Sequence, residues 1–347
     1  LVRRGGLVTD RPGSCVMRLL RAALTKIAGL FYDSRCSETG EDSMRIVVTG
    51  ATSFVGVATV NELLNRGHEV FAVVRPDSQK LDRLQEQERL KIIENDLSEP
   101  QLLPEKIKTP CDVFCHFGWG GSGSDARTNR GLQEKNLEDA VETIYAAKKL
   151  GCSRFIFSGS QAEYGLHKTL MHEEISCEPR SLYGEAKLHM RNRGEEVCRE
   201  LGMQYIHTRI FSAYGPGDHP WTLVESCLKA FKNGETLSLG QCTQQWNFIY
   251  IDDLARAMCA LTEVPEDVLS GESPVFNLAG EETRPLRTFV EEIRELCGGT
   301  GTAAYATRTE NAEGVIHLIP DISKLKRVTG WNPQVDFAAG IRKMLNP

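Results

Sequence analysis

Ser160, Tyr183 and Lys187 are the residues of this chain whose types and spacing point most directly to chemistry. Tyr183 and Lys187 stand four apart in Tyr183-Gly184-Glu185-Ala186-Lys187, so on a helix they share one face. A phenol with an unperturbed pKa near ~10 is a poor base until a neighbouring ammonium stabilises its phenolate, and a lysine one turn away supplies that charge. Ser160 comes 23 residues before Tyr183, just after the apolar run Arg154 to Ser158. From a strand end its hydroxyl can bond a substrate oxygen and share developing charge. Such a group moves the proton that must leave or arrive when a carbon–oxygen centre exchanges a hydride. A Tyr-Lys pair at this spacing is frequent on any helix, and it gains meaning from what precedes it.

What precedes it is Gly50-Ala51-Thr52-Ser53-Phe54-Val55-Gly56, between the apolar run Arg45 to Thr49 and a helical stretch. Strand, glycine turn and helix in that order form a pyrophosphate site, because a helix N-terminus presents free amides and partial positive charge. Ser53 stands where the usual TGxxGxxG has its middle glycine; it is small, and its hydroxyl can donate to a phosphate. The second strand ends in Val74-Arg75-Pro76-Asp77, where an arginine suits a 2′-phosphate and a carboxylate suits a free ribose. Arg75 therefore favours NADP(H), while Asp77, turned toward the ribose, would admit NAD(H). Asp96 and Leu97, then Phe117, Gly118 and Trp119, fall where the adenine and nearer ribose would lie, with Ser158 and Phe211 completing the expected cofactor contacts. His116 beside them can equally be an ordinary buried histidine.

These groups need a scaffold. Apolar runs at Arg45 to Thr49, Glu69 to Val74, Leu90 to Glu94, Val113 to Phe117, Arg154 to Ser158 and Tyr205 to Arg209 alternate with helical stretches such as Val55 to Arg66 and Leu132 to Leu150. That alternation predicts an α/β fold, a doubly wound parallel Rossmann sheet covered by helices on both faces. The expected dinucleotide domain is 44–214, with returning segments near 248–262 and 275–280. Beyond Tyr214-Gly215-Pro216-Gly217 the pattern loosens into a smaller mixed lobe, 215–347, expected to hold the substrate.

The first 43 residues read as a loose extension ahead of the fold, with Met17 to Tyr32 able to form an amphipathic surface helix but too charged for a bilayer span. A net charge of −6 argues against a nucleic-acid partner. The 11 cysteines lack paired metal or disulfide spacing and read as small core hydrophobes, so no metal is expected. A cytoplasmic location is the matching expectation.

Residues 45 to about 345 resemble the extended short-chain dehydrogenase/reductases, specifically the nucleotide-sugar epimerases, dehydratases and 4-ketoreductases. The motifs that carry the resemblance are the Gly50 to Gly56 turn, Ser160 with Tyr183 and Lys187, and Arg209-Ile-Phe-Ser-Ala-Tyr-Gly-Pro-Gly217. Phe248-Ile-Tyr-Ile-Asp-Asp253 and the late Asp321-Ile-Ser-Lys324 with Gly330-Trp-Asn-Pro333 add to it. The resemblance implies a helix-distorting role for Asn136, supporting a water path toward Lys187. It also implies a homodimer through the helices Leu132 to Leu150 and Leu182 to Glu200.

Departures from the family pattern narrow the reaction. Dehydratases place an Asp-Glu pair directly after the catalytic Ser or Thr, and decarboxylating relatives need a carboxylate at the second of these positions; here they are Gln161 and Ala162. Elimination is disfavoured. Reduction of a 4-keto-6-deoxy nucleotide sugar is the leading expectation, since the Ser160 and Trp246 segments are similar to CDP-abequose synthases. A C4 epimerase with tightly bound NAD is the alternative, and a non-catalytic dinucleotide sensor is the reading from another class. Gln161, Trp221, Trp246 and Asn247 are the expected substrate contacts. Trp246 replaces an arginine that binds phosphates in many relatives; Lys229, Lys232 and Arg308 could compensate, which leaves open a substrate without a nucleotide.

Overall fold

Unbroken apolar runs make strands that are buried on both faces, and the main sheet is built from them. The computed structural model describes residues 43–121, 126–308 and 315–346. The extension expected over 1–43, with its candidate surface helix, lies outside the described residues except for Ser43.

The strands are β1 (Arg45–Thr49), β2 (Glu69–Val74), β3 (Leu90–Glu94), β4 (Val113–His116), β5 (Arg154–Ser160), β6 (Gln204–Ile210), β7 (Ser212–Tyr214), β8 (Thr236–Ser238), β9 (Gln245–Tyr250), β10 (Val275–Leu278), β11 (Thr283–Pro285) and β12 (Thr302–Ala304). Seven of them form one parallel sheet in the order β10-β6-β5-β4-β1-β2-β3. The order reverses between β1 and β4, and at such a switch point the carboxyl ends of the strands leave a crevice for ligands. The predicted doubly wound sheet is the observed one.

Alternate residues of each strand feed two cores. Ile46, Val48, Val70, Ala72 and Ile156 pack with Val60 and Leu63 of α1 (Phe54–Asn65) on one face. Val47, Phe71, Phe114, Phe155 and Phe157 face the other side, against Ala140 and Ile144 of the next long helix (Arg130–Lys149) and Met190 and Val197 of a second (Leu182–Glu200). Each such side chain fully buried contributes about 1.5–3 kcal/mol relative to exposure. Rings stack across the second face, Phe114 on Phe155 at 5.5 Å and Phe157 on His207 at 5.4 Å between centroids. In chain order the helices are α1, α2 (Leu103–Lys106), α3 (Arg130–Lys149), α4 (Leu182–Glu200), α5 (Leu223–Lys232), α6 (Ile251–Glu263), α7 (Glu266–Leu269), α8 (Leu286–Leu296), α9 (Ser323–Thr329) and α10 (Phe337–Leu345).

Arg154 shows how a buried charge can be structural. Its guanidinium donates to the carbonyls of Leu261 (3.1 Å), Thr262 (2.5 Å) and Val264 (2.7 Å), the acceptors that α6 leaves unpaired at its C-terminal end.

The mixed lobe contains the three-stranded sheet β11-β9-β7 and the β12-β8 pair. It belongs to the one compact unit that the described chain forms from Ser43 onward. Buried Asp253 accepts the amides of Gln334 (2.8 Å) and Val335 (2.9 Å), and its carbonyl accepts the Trp331 indole N–H at 3.1 Å. The late Gly-Trp-Asn-Pro segment is thereby latched to the Asp252-Asp253 segment. Among the described residues no helix is long and apolar enough to cross a membrane, and no group of three or more His, Cys, Asp or Glu side chains gathers to hold a metal ion. The described cysteines are free thiols, mostly buried, and burial pushes Cys115 up to about 12, where it is an inert core group.

Candidate active site

The cleft begins where β1 gives way to α1. Gly50 has φ +66°, and a Cβ there would lie 2.7 Å from the Gly118 amide nitrogen; one on Gly56 would lie 2.1 Å from the Gly50 carbonyl oxygen. Only hydrogen fits at either place, so the turn stays tight. Ser53 caps α1, its hydroxyl oxygen accepting from the Gly56 amide at 3.0 Å, and its own O–H remains available as a donor. The first-turn amides of Phe54 and Val55 have no acceptor within the helix, as at any helix start, and half-buried Thr52 lies just before the cap. This cradle fits a pyrophosphate.

Around it stand the other residues expected at the cofactor. Leu97 packs against Gly118, where a Cβ would meet its Cδ1 at 2.6 Å, and Phe117 is buried beside them. The Asp96 carboxylate accepts from the Ser98 hydroxyl (2.7 Å) and amide (2.9 Å), which hold it below the usual carboxylate range, helped by the nearby Arg75 charge. Phe211 lies in the core against Tyr164. His116 is the ordinary buried histidine of the two options. Thr49 Oγ accepts from the Gly118 amide (3.3 Å) and shares a hydrogen bond with His116 Nδ1 (2.9 Å), and burial lowers the ring to about 3.

Ser160, Tyr183 and Lys187 come together at the carboxyl end of β5. Ser181 caps α4, accepting from the Gly184 amide at 3.3 Å, and this fixes Tyr183 in the first turn with Lys187 one turn on. Lys187 is 2% exposed and donates to the Ser158 carbonyl at 2.7 Å. Its Nζ sits 3.9 Å from the Trp119 ring centre and 5.6 Å from that of Tyr183. Burial brings this lysine down to about 7, with the Glu163 charge working the other way. Burial raises the Tyr183 phenol, opposed by a hydrogen bond with the Ser160 side chain and by Arg127. The Arg127 guanidinium lies 4.6 Å from the Tyr183 ring centre, a second cation at the phenol that no motif in the sequence marks.

Ser160 ends β5 and opens a single helical turn. Its hydroxyl accepts from the Ala162 amide (3.2 Å), while Glu163 reaches back to accept the Ser160 amide (2.7 Å). Glu163 is fully buried and is also held by His207 Nε2 (2.9 Å) and Arg209 Nε (2.9 Å). Burial favours its neutral form, but the His207 ring and Arg209 guanidinium outweigh this and keep it a carboxylate.

Two expected roles do not match the geometry. Asn136 spends both ends of its amide on Gly120, accepting its N–H (3.0 Å) and donating to its carbonyl (2.8 Å), so its side chain braces the loop after β4. Asn247 is likewise consumed, donating to the Gly280 and Glu282 carbonyls (both 2.9 Å) and accepting the Gly280 amide (2.9 Å). It is a buried brace between β9 and the turn before β11, with no polar atom left for a substrate. Gln161 is half-buried beside Ser160. Trp221 is 69% exposed and stacks on His219 at 4.4 Å. Trp246 keeps a buried indole N–H with no acceptor among the described residues. Lys229, Lys232 and Arg308 are exposed.

A sequence profile of the NAD dependent epimerase/dehydratase family matches residues 46–279. UDP-glucuronic acid decarboxylase 1 of Arabidopsis thaliana is 25% identical over 320 residues, covering 88% of this chain and 70% of that protein. A Bacillus subtilis protein described as an uncharacterized UDP-glucose epimerase is 25% identical over 314 residues, covering 86% of this chain and 96% of its own length. Among solved structures, UDP-glucuronic acid 4-epimerase from Bacillus cereus, in complex with UDP-glucuronic acid and NAD, superposes with a TM-score of 0.73 at 22% identity, covering 86% of this chain and 97% of that one.

The expected preference for NADP(H) is overturned by these findings. The structurally similar epimerase holds NAD. Arg75, on which the expectation rested, is exposed, and its charge acts on the Asp96 carboxylate. With a glycine cradle for the pyrophosphate, a serine, tyrosine and lysine gathered at the neighbouring strand end, and the profile match over both, this chain belongs to the NAD-dependent epimerase/dehydratase family of enzymes.

Proposed function

We propose that this enzyme interconverts the two C4 epimers of a UDP-sugar while keeping its NAD bound. The observation that carries the reading is the side-chain chemistry following Ser160. Gln161 and Ala162 offer no carboxylate, and the one that follows, Glu163, is enclosed by Ser160, His207 and Arg209 with no exposed surface. Among the described residues that follow Ser160, none offers the substrate a free carboxylate to take a C5 proton or assist loss of the C6 hydroxyl. What remains is proton exchange at a single oxygen.

Gly50, Thr52, Ser53, Phe54, Val55 and Gly56 would hold the NAD pyrophosphate, and Asp96, Leu97, Phe117, Gly118 and Trp119 would flank its adenosine half. Bound NAD supplies the acceptor and donor for the C4 hydride. Tyr183 takes the proton of the C4 hydroxyl and returns it, Ser160 bonds the same oxygen, and Arg127 and Lys187 stabilise the phenolate in between. The lobe over 215–347 would bind the nucleotide and sugar, with Trp221 as a stacking surface and the unpaired Trp246 N–H as a donor. The reductase reading drew on exchangeable NADPH and loses that support; the names of the similar proteins divide between epimerases of UDP-glucose or UDP-glucuronic acid and decarboxylases of UDP-glucuronic acid, and the missing carboxylate at Ala162 favours the epimerases.

The test is incubation with UDP-glucose, UDP-N-acetylglucosamine and UDP-glucuronic acid, followed by NMR of the products. The expected result is the C4 epimer of at least one, with no net change in NADH absorbance. Consumption of NADH or NADPH in proportion to a 4-keto-6-deoxy sugar, without epimerisation, would restore the reductase. A UDP-pentose and carbon dioxide from UDP-glucuronic acid would make the protein a decarboxylase.

A further inference from the structure

The buried carboxylate behind Ser160 has a place in the site that elimination chemistry does not explain. Glu163 has no exposed surface, yet it stays charged, held by the Ser160 amide (2.7 Å), His207 Nε2 (2.9 and 3.0 Å) and Arg209 Nε (2.9 Å). The fold makes room for it at a cost. A Cβ on Gly159 would lie 2.3 Å from His207 Nε2 and 2.5 Å from Glu163 Oε1, so only glycine lets β5 pass over the pair. The network also runs into α4, since His207 Nδ1 meets the Tyr205 hydroxyl at 3.0 Å and that hydroxyl contacts the Met190 carbonyl at 3.1 Å, one turn beyond Lys187.

Lys187 meets several groups. Phe157 and the Ser158 carbonyl face it from β5, Trp119 from the loop after β4, and Tyr183 from its own helix. The titratable neighbours on the adjacent strands are His116 on β4 and His207 on β6; burial lowers both rings, and in His207 the Glu163 carboxylate works against it. Glu163 takes the Ser160 amide (2.7 Å) two residues along β5 from the Ser158 carbonyl that takes Lys187 (2.7 Å), and among the described residues it is the anion acting on Lys187. An ammonium with this little exposure needs such a charge, because desolvation favours its neutral amine.

We propose that Glu163 is a positioning residue that supplies a buried negative charge opposing loss of the Lys187 proton while it pins the backbone of Ser160. One locked carboxylate thus sets the geometry of the serine and biases the charge of the lysine. This rests on the roles proposed above for Ser160 and Lys187, but its central claim can be read without turnover.

The experiment is NMR titration of full-length protein carrying lysine labelled with carbon-13 at Cε, with the Lys187 signal assigned by its loss in Lys187→Met. Glu163→Gln keeps an oxygen for the Ser160 amide and removes the charge, and it should lower the Lys187 midpoint by at least about one pH unit. Glu163→Asp keeps the charge and should leave the midpoint within a few tenths. If Glu163→Gln does not fold, Glu163→Met, which also removes the charge and keeps Arg209, should likewise lower the midpoint. An unchanged midpoint in the folded charge-removing variant overturns the proposal. Failure of the wild type to epimerise any sugar, with the midpoint shifted as expected, would instead sink the proposed function and leave the Glu163–Lys187 coupling standing.

Discussion

The Lys187 ammonium donates to the Ser158 carbonyl over 2.7 Å from a site that is 2% exposed, tying α4 to the end of β5 with a charge that water cannot reach. Its folded pKa, about 7, lies below its ordinary 10.5, which fixes the sign of its effect on stability. Below about pH 7 the lysine is protonated folded and unfolded, so the folded state carries the full desolvation cost; between there and 10.5 only the unfolded chain keeps the proton, and relative stability rises with pH. Lys187→Met should therefore melt higher than wild type at pH 6, by on the order of a few kcal/mol in stability, and lose that advantage as pH approaches 10. Calorimetry across this range checks it; a variant less stable at pH 6 contradicts it.

Removal of one oxygen tests the phenol. Tyr183→Phe should bind NAD as wild type does and lose turnover by about a hundredfold or more, the usual scale for a proton-transfer group. Normal turnover in this variant would take Tyr183 out of the chemistry.

Cofactor identity can be read from the purified protein. Acid denaturation should release NAD or NADH, and Arg75→Ala should leave the amount unchanged, because NAD has no 2′-phosphate for this exposed arginine to neutralise. Chromatography of the supernatant decides it. A marked loss of bound cofactor in Arg75→Ala would show that the arginine contributes to binding after all.

Arg154 offers a stability test remote from the cleft. Arg154→Met would strip donors from the Leu261, Thr262 and Val264 carbonyls at the end of α6. Each buried acceptor left unpaired costs about 1–3 kcal/mol, so urea unfolding should show a loss of at least about 2 kcal/mol. Activity per folded molecule should be unaffected, and a loss of turnover without a loss of stability would argue against a purely structural role.

The strands of the main sheet were legible because apolar runs and glycine turns are local signals; β1, β2 and β3 fall on the residues expected from sequence. Ser160, Tyr183 and Lys187 were legible for the same reason, since a strand end and one helical turn bring them together. Asn136 and Asn247 were misjudged because an amide's role depends on its partners, here backbone groups 16 and 33 residues away. Arg127 was overlooked because its contact with Tyr183 is made from a separate single turn before α3. Arg75 showed that an arginine at a strand end says little until its neighbours are known.

The latch between Asp253 and the amides of Gln334 and Val335 joins positions 81 and 82 residues apart. At a ribosomal pace of about 5–20 residues per second, roughly 4–16 seconds separate the synthesis of one half of that contact from the other. During that interval β1 to β6 can already pair, while Asp253 waits without the amides that neutralise it in its buried place. The nascent chain thus carries all the residues of the nucleotide cradle for seconds before those that close the Asp253 latch have been made.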